Sequence, residues 1–169
     1  MEQNTESKLE FKDKLTYFYN HYKLKIYIFI SVLIAAIIFG TFLFYKNVKK
    51  NIFISEKYIE AGLHLSSDNK NDAIVLYEEI IFSKNKFYSI LSLNTILEKN
   101  LISDKKKILE YFEILEEVSL SQENKDLITF KKALYLLKSS DIQNGKNLLK
   151  SLIDKNSSLK TIANELIEN

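Results

Sequence analysis

Four glutamates, Glu110, Glu113, Glu116 and Glu117, come closest to a chemical constellation in this chain. Paired carboxylates can work as general acid and base, or bind a hard cation. These four lie opposite an apolar stripe of Ile108, Phe112, Leu115 and Val118, which is the layout of a solvated helix face. Lys105, Lys106 and Lys107 open the same stretch, where cations oppose the helix dipole, and they read as a surface run. The two histidines, His21 and His64, cannot form a multi-histidine metal site and read as packing residues. The three glycines, at 40, 62 and 145, are isolated, so no phosphate-cradling loop exists. No GxSxG or HExxH motif occurs. The chain has no cysteine, which removes disulfides, thiol nucleophiles and zinc thiolates. These residues predict a protein that is not an enzyme, with no cofactor, no metal and no small-molecule substrate. Acid–base catalysis by the Glu110–Glu117 strip is the rival from another class.

The composition narrows the choice further. Of 169 residues, 24 are basic and all of those are lysine; 22 are acidic, for a net charge of +2. Such a balance gives no electrostatic footprint for nucleic acid. A hydrophobic content of 46% with 27% charged residues is that of a folded chain rather than a disordered one. The absence of proline and the scarcity of glycine favour helix.

Residues 26–45, IYIFISVLIAAIIFGTFLFY, carry no charge. At 1.5 Å rise per residue they reach about 30 Å, a hydrocarbon core's thickness. Ser31 and Thr41 can bond back to their own helix, and Tyr27 and Tyr45 stand at the two ends, where aromatic rings favour the interface. A cleaved signal would have a shorter apolar stretch and end on small residues; this one ends on Phe42, Leu43, Phe44 and Tyr45. An uncleaved anchor is expected. Five lysines (8, 12, 14, 23, 25) precede the span closely and four (46, 49, 50, 57) follow it. The short N-terminal side weighs more in orientation, which tilts the expectation to a cytoplasmic N-terminus and an external C-terminal domain. Before the span, Phe11, Leu15, Phe18 and Tyr22 share one helix face and predict a short amphipathic stretch at the membrane surface, with a partner-binding helix as the other reading.

Residues 46–169 show helical periodicity throughout. Helices are expected at about 53–66, 72–82, 87–98, 105–118, 125–138 and 142–153, with a last short one ending at Ile167. Ser103 or Asp104, then Asp141, then Ser157 or Ser158 stand where caps are needed. Two segments match at an offset of 72 residues. Ala61, Ala73, Tyr77 and Ile80-Ile81 align with Ala133, Gly145, Leu149 and Leu152-Ile153. Small residues twelve apart let two helices touch, and a large one four further on fills the space between repeats. This is the spacing of the tetratricopeptide repeat, a 34-residue helix–turn–helix unit. The middle unit fits less well, with Thr95 and Lys107 at the small positions and no closing proline. An unrelated helical bundle is the competing reading. In the repeat register Tyr58, Ile96, Phe130 and Leu134 are candidates to face a protein-binding groove, with plain core packing as the alternative. Lys131, Tyr135 and Lys138 form the wet face of the fifth helix. The closing helix, from Leu159 to Ile167, is expected to cover the array's apolar end.

The expected architecture is thus all-α: an amphipathic N-terminal segment (1–25), a transmembrane helix (26–45), and a tetratricopeptide-like solenoid of α-hairpins (46–169). In this layout, over roughly residues 9–169, the chain resembles the YfgM-like family of bacterial inner-membrane proteins. The match runs from FKDKLTYFYNHYKLKIYIFISVLIAAIIFG through ISEKYIEAGLHLSSDNKNDAIVLYEEII to SLKTIANELIEN. The resemblance implies an N-terminus in the cytoplasm and a repeat domain in the periplasm. It also implies association with the SecYEG translocon and delivery of exported clients to periplasmic chaperones. The partners expected are the membrane lipid bilayer and other proteins. A cytoplasm-facing adaptor or assembly factor is the alternative in the same class.

Overall fold

The computed structural model describes residues 3–168, with side chains from residue 12 onward; the side chains of Lys8 and Phe11 lie outside the described residues. All of its regular structure is helical. Seven helices follow in order: α1 (Gln3–Ser66), α2 (Lys70–Phe82), α3 (Tyr88–Glu98), α4 (Lys105–Glu116), α5 (Gln122–Lys138), α6 (Ile142–Asp154) and α7 (Lys160–Glu168). The chain divides into two compact units, Met1–Lys50 and Asn51–Asn169.

In the first unit the whole described length belongs to α1. The amphipathic stretch is not set apart from the apolar one: the helix runs through both. The physical reason is an absence of breakers, since the first glycine is Gly40 and the chain has no proline. The apolar part reaches a mean hydropathy of 2.6 over its best 18 residues, and none of that stretch is buried within the protein. A helix that is apolar on every side and covered by nothing of its own has the character of a membrane anchor. Its few polar side chains are satisfied locally. Ser31 Oγ donates to the Ile28 carbonyl and Thr41 Oγ1 to that of Ile38, both at 2.8 Å. Lys25 Nζ lies 5.5 Å from the Tyr22 ring and Lys49 Nζ 4.8 Å from that of Tyr45, so an ammonium group rests on an aromatic face at each end of the apolar stretch.

The second unit is built of packed helical hairpins with two hydrophobic cores. The first core joins Ile54 and Ala61 of α1 to Tyr77, Ile80 and Ile81 of α2, Leu93 and Ile96 of α3, and Ile108, Tyr111, Phe112 and Leu115 of α4. The second gathers Ala133 of α5, Leu149 and Leu152 of α6, and Ala163 of α7. The 72-residue register seen in the sequence recurs in the backbone. Helices α2 and α6 both have 13 residues and start 72 apart, at Lys70 and Ile142; α3 and α7 likewise start 72 apart, at Tyr88 and Lys160. The preceding turns are closed alike. Asp68 and Ser140 have left-handed backbones, φ 57° and 63°. The next amide donates to a carbonyl five residues back, Asn69 to His64 and Asp141 to Leu136, both at 2.9 Å. This is the closure of a Schellman turn. Lys84 and Asn156, again 72 apart, repeat the left-handed conformation after α2 and α6.

The poor fit of Lys107 at a small position has a local solution. Its ammonium reaches the Glu78 carboxylate of α2, so the long side chain leaves the helix contact rather than filling it. The buried Tyr111 donates to the same carboxylate at 2.6 Å. Burial, with the charge of Glu78 beside it, pushes the Tyr111 phenol far above its usual value. Burial likewise raises Tyr77 and Tyr135. A raised folded value means the contribution to stability is whole below the ordinary tyrosine value of about 10 and is lost as pH climbs above it, since unfolded chains ionise first. Urea midpoints measured at about pH 8 and about pH 11 should fall between the two, and Tyr111→Phe should flatten that fall. An equal fall in wild type and variant would exclude Tyr111 as a source.

Candidate functional site

Helices α3 and α5 and the turn after α3 enclose an open cleft of about 430 Å³. Its apolar wall comes from Ile96 and Leu97 near the end of α3, Ile102 in the turn, and Leu134 and Tyr135 on α5. Local rules explain the placement. The left-handed Asn100 (φ 48°) stops α3, and the Leu101 amide closes onto the Ile96 carbonyl at 3.0 Å. Asp104 then starts α4 by accepting the amides of Lys106 and Lys107 at 2.8 and 3.3 Å. Lys105 reaches Asp141, the residue before α6, at 3.1 Å and ties the two turns together. On α5, Lys131, Leu134, Tyr135 and Lys138 all line the cleft. They are spaced i, i+3, i+4, i+7, which is one helix face.

Of the four groove candidates, the structure brings two together. Ile96 forms the buried floor of the cleft and Leu134, 38% exposed, its open side. Phe130 is half-buried and packs on the second core. Tyr58 is half-buried against the rings of Tyr77 and Tyr88, with centroids 5.7 Å from each, and its hydroxyl lies 3.2 Å from Thr95 Oγ1. Asn100, Ser103, Lys131, Lys138 and Ser139 complete the cleft; like Leu97, Ile102 and Tyr135, they were not among the candidates. The spacing of Lys131, Tyr135 and Lys138 on one face was legible; periodicity alone could not tell a face open to solvent from a cleft wall.

The acidic strip is exposed along α4. Glu116 accepts from Lys132 at 2.8 Å. Glu117 pairs with Lys84, whose hydrogen bond and charge hold its carboxyl below the usual range. His64 lies in the last turn of α1, 3.9 Å from the Asp72 carboxylate and 3.4 Å from the Asn69 side-chain amide. Among the described residues no three His, Asp or Glu side chains gather as metal ligands would. No protein-family model matches the chain, and no curated protein or solved structure matches it either.

Proposed function

We propose that this protein is a membrane-anchored, non-catalytic protein-binding module whose second unit is a tetratricopeptide-like array. The observation that carries the reading is the α3–α5 cleft, apolar at its floor and partly open at Leu134. In a tetratricopeptide array the A helices line the binding face; in that register α3 and α5 are A helices. The 72-residue recurrence of helix starts and turn closures supports the array. The exposed apolar length of α1 supports the anchor, which concentrates the module near membrane partners. The finer reading is an ancillary subunit of the SecYEG translocon in a bacterial inner membrane. Its cleft would face the periplasm, contacting exported clients and passing them to periplasmic chaperones.

Two measurements test this. Alkaline phosphatase fused after Asn169 should be active, and a fluorescent protein that matures only in the cytoplasm should stay dark at the same position. A photo-crosslinking residue at Leu134 should form adducts with a translocon subunit or an exporting chain. The reverse fusion result would exclude the translocon reading and leave a cytoplasm-facing adaptor. Adducts absent from Leu134 but present at a site remote from the cleft would exclude the cleft as the binding face.

A further inference from the structure

We infer that the α3–α5 cleft selects acidic–apolar segments, in which one or two large apolar side chains stand between carboxylates. The inference rests on the protein-binding reading of the cleft and names the chemistry of its occupant. Its residues include two lysines, Lys131 and Lys138, and no acid. Neither lysine has an ion-pair partner among the described residues, whereas Lys132, next to Lys131 on α5, holds the Glu116 carboxylate. Asp104, whose charge acts on Tyr135 of this wall, has its carboxylate bonded to amides in the first turn of α4.

Spacing sharpens the match. Seven residues along a helix put Lys131 and Lys138 about 10.5 Å apart, with Leu134 and Tyr135 between them. In a polyproline II peptide, with three residues per turn and about 3.1 Å rise, positions three apart share a face and stand about 9.3 Å apart. An acidic–apolar–apolar–acidic run in that conformation therefore sets both carboxylates toward the two ammonium groups, with the apolar side chains between them beside Ile96, Leu97, Ile102 and Leu134. Asn100, Ser103 and Ser139, also in the lining, offer amide and hydroxyl groups to the peptide backbone. The volume lies within the range of about 300–1,000 Å³ usual for occupied pockets.

The test uses the full chain in lipid nanodiscs and three fluorescein-labelled octapeptides. One carries two leucines between glutamates, the second two leucines between lysines, and the third two serines between glutamates. Fluorescence anisotropy should give the first at least about tenfold tighter binding than either other, a margin reduced at high salt. The double variant Lys131→Glu/Lys138→Glu should reverse the order of the first two, and Leu134→Asp should abolish binding of the first. Circular dichroism of both variants should match wild type. Equal binding of the acidic and basic peptides, unchanged in the double variant, would overturn the charge selection and leave a cleft that binds proteins by apolar contact. Undiminished binding in Leu134→Asp would move the site elsewhere and overturn both readings. If none of the three peptides binds, the charge selection is overturned, and crosslinking from Leu134 decides the protein-binding reading on its own.

Discussion

The double substitution Ile34→Asp/Ile37→Asp will move the protein from the membrane pellet to the soluble fraction. Both side chains are exposed, at 51% and 58%, so they have no packing partners within the protein to lose. Their favourable environment must come from outside the chain. An aspartate near the centre of a spanning helix costs about 3 kcal/mol, and the isoleucine it replaces contributed about half a kcal/mol in favour. Two such changes amount to about 7 kcal/mol, or roughly five decades in partition. The second unit should keep its fold, since its cores draw no residue from before Ile54. Alkaline carbonate extraction followed by limited proteolysis reads both quantities. A variant that stays carbonate-resistant would show that α1 is not what holds the protein to the membrane.

The second large effect concerns the α5–α6 hairpin. A Cβ at Gly145 would stand 2.8 Å from Leu137 Cγ, 2.9 Å from Leu137 Cδ2 and 3.0 Å from the Ala133 carbonyl oxygen. The leucine can turn aside; the backbone oxygen cannot. Gly145→Val should therefore cost about 3 kcal/mol, as overpacking of a tight contact does. Gly145→Ala should cost less, because alanine's better helix propensity returns about 1 kcal/mol. Gly62 is the contrast: a Cβ there meets nothing within 4 Å, and Gly62→Ala should stabilise by about 0.5–1 kcal/mol. Opposite signs for two glycine-to-larger changes in one domain, read from urea unfolding, are the expected result. If Gly145→Ala stabilised as much as Gly62→Ala, the close approach of α5 to α6 would be wrong. The position 72 residues before Gly145 is Ala73, fully buried; that hairpin already accommodates a Cβ at the same place.

From α2 onward, helix order and approximate ends were legible because apolar residues recur at helical spacing. The small-residue contacts were legible for a different reason. Ala61, Ala73, Ala133 and Gly145 are all buried, and close helix approach leaves few other choices. The continuity of α1 was not read, because a change in pattern near residue 25 suggests a boundary that no backbone breaker enforces. The fifth helix also starts a turn earlier than its periodicity implies. Ser121 accepts the Asn124 amide, and the turn it caps is polar, so no apolar repeat announced it. Of the ten residues that line the cleft, repeat register placed two, Ile96 and Leu134. Asn100 and Ser103 join them through a left-handed turn that no periodicity records. Lys107 was the residue most at odds with a repeat, and only its partner on another helix, Glu78, explains it.

The left-handed residues also decide where this chain can be lengthened. Five of the six connections between helices contain one: Asp68, Lys84, Asn100, Ser140 and Asn156. In the three-residue turns 67–69 and 139–141 an inserted residue would separate the left-handed position from the amide that closes the helix end, leaving its last carbonyls unpaired. The connection at 117–121 contains no such residue. Ser119 within it is exposed, and doubling a flexible loop adds only about 0.6 kcal/mol. An epitope or fluorophore-binding tag inserted after Ser119 would leave every left-handed helix closure intact, making this connection a practical place to label the protein in living cells.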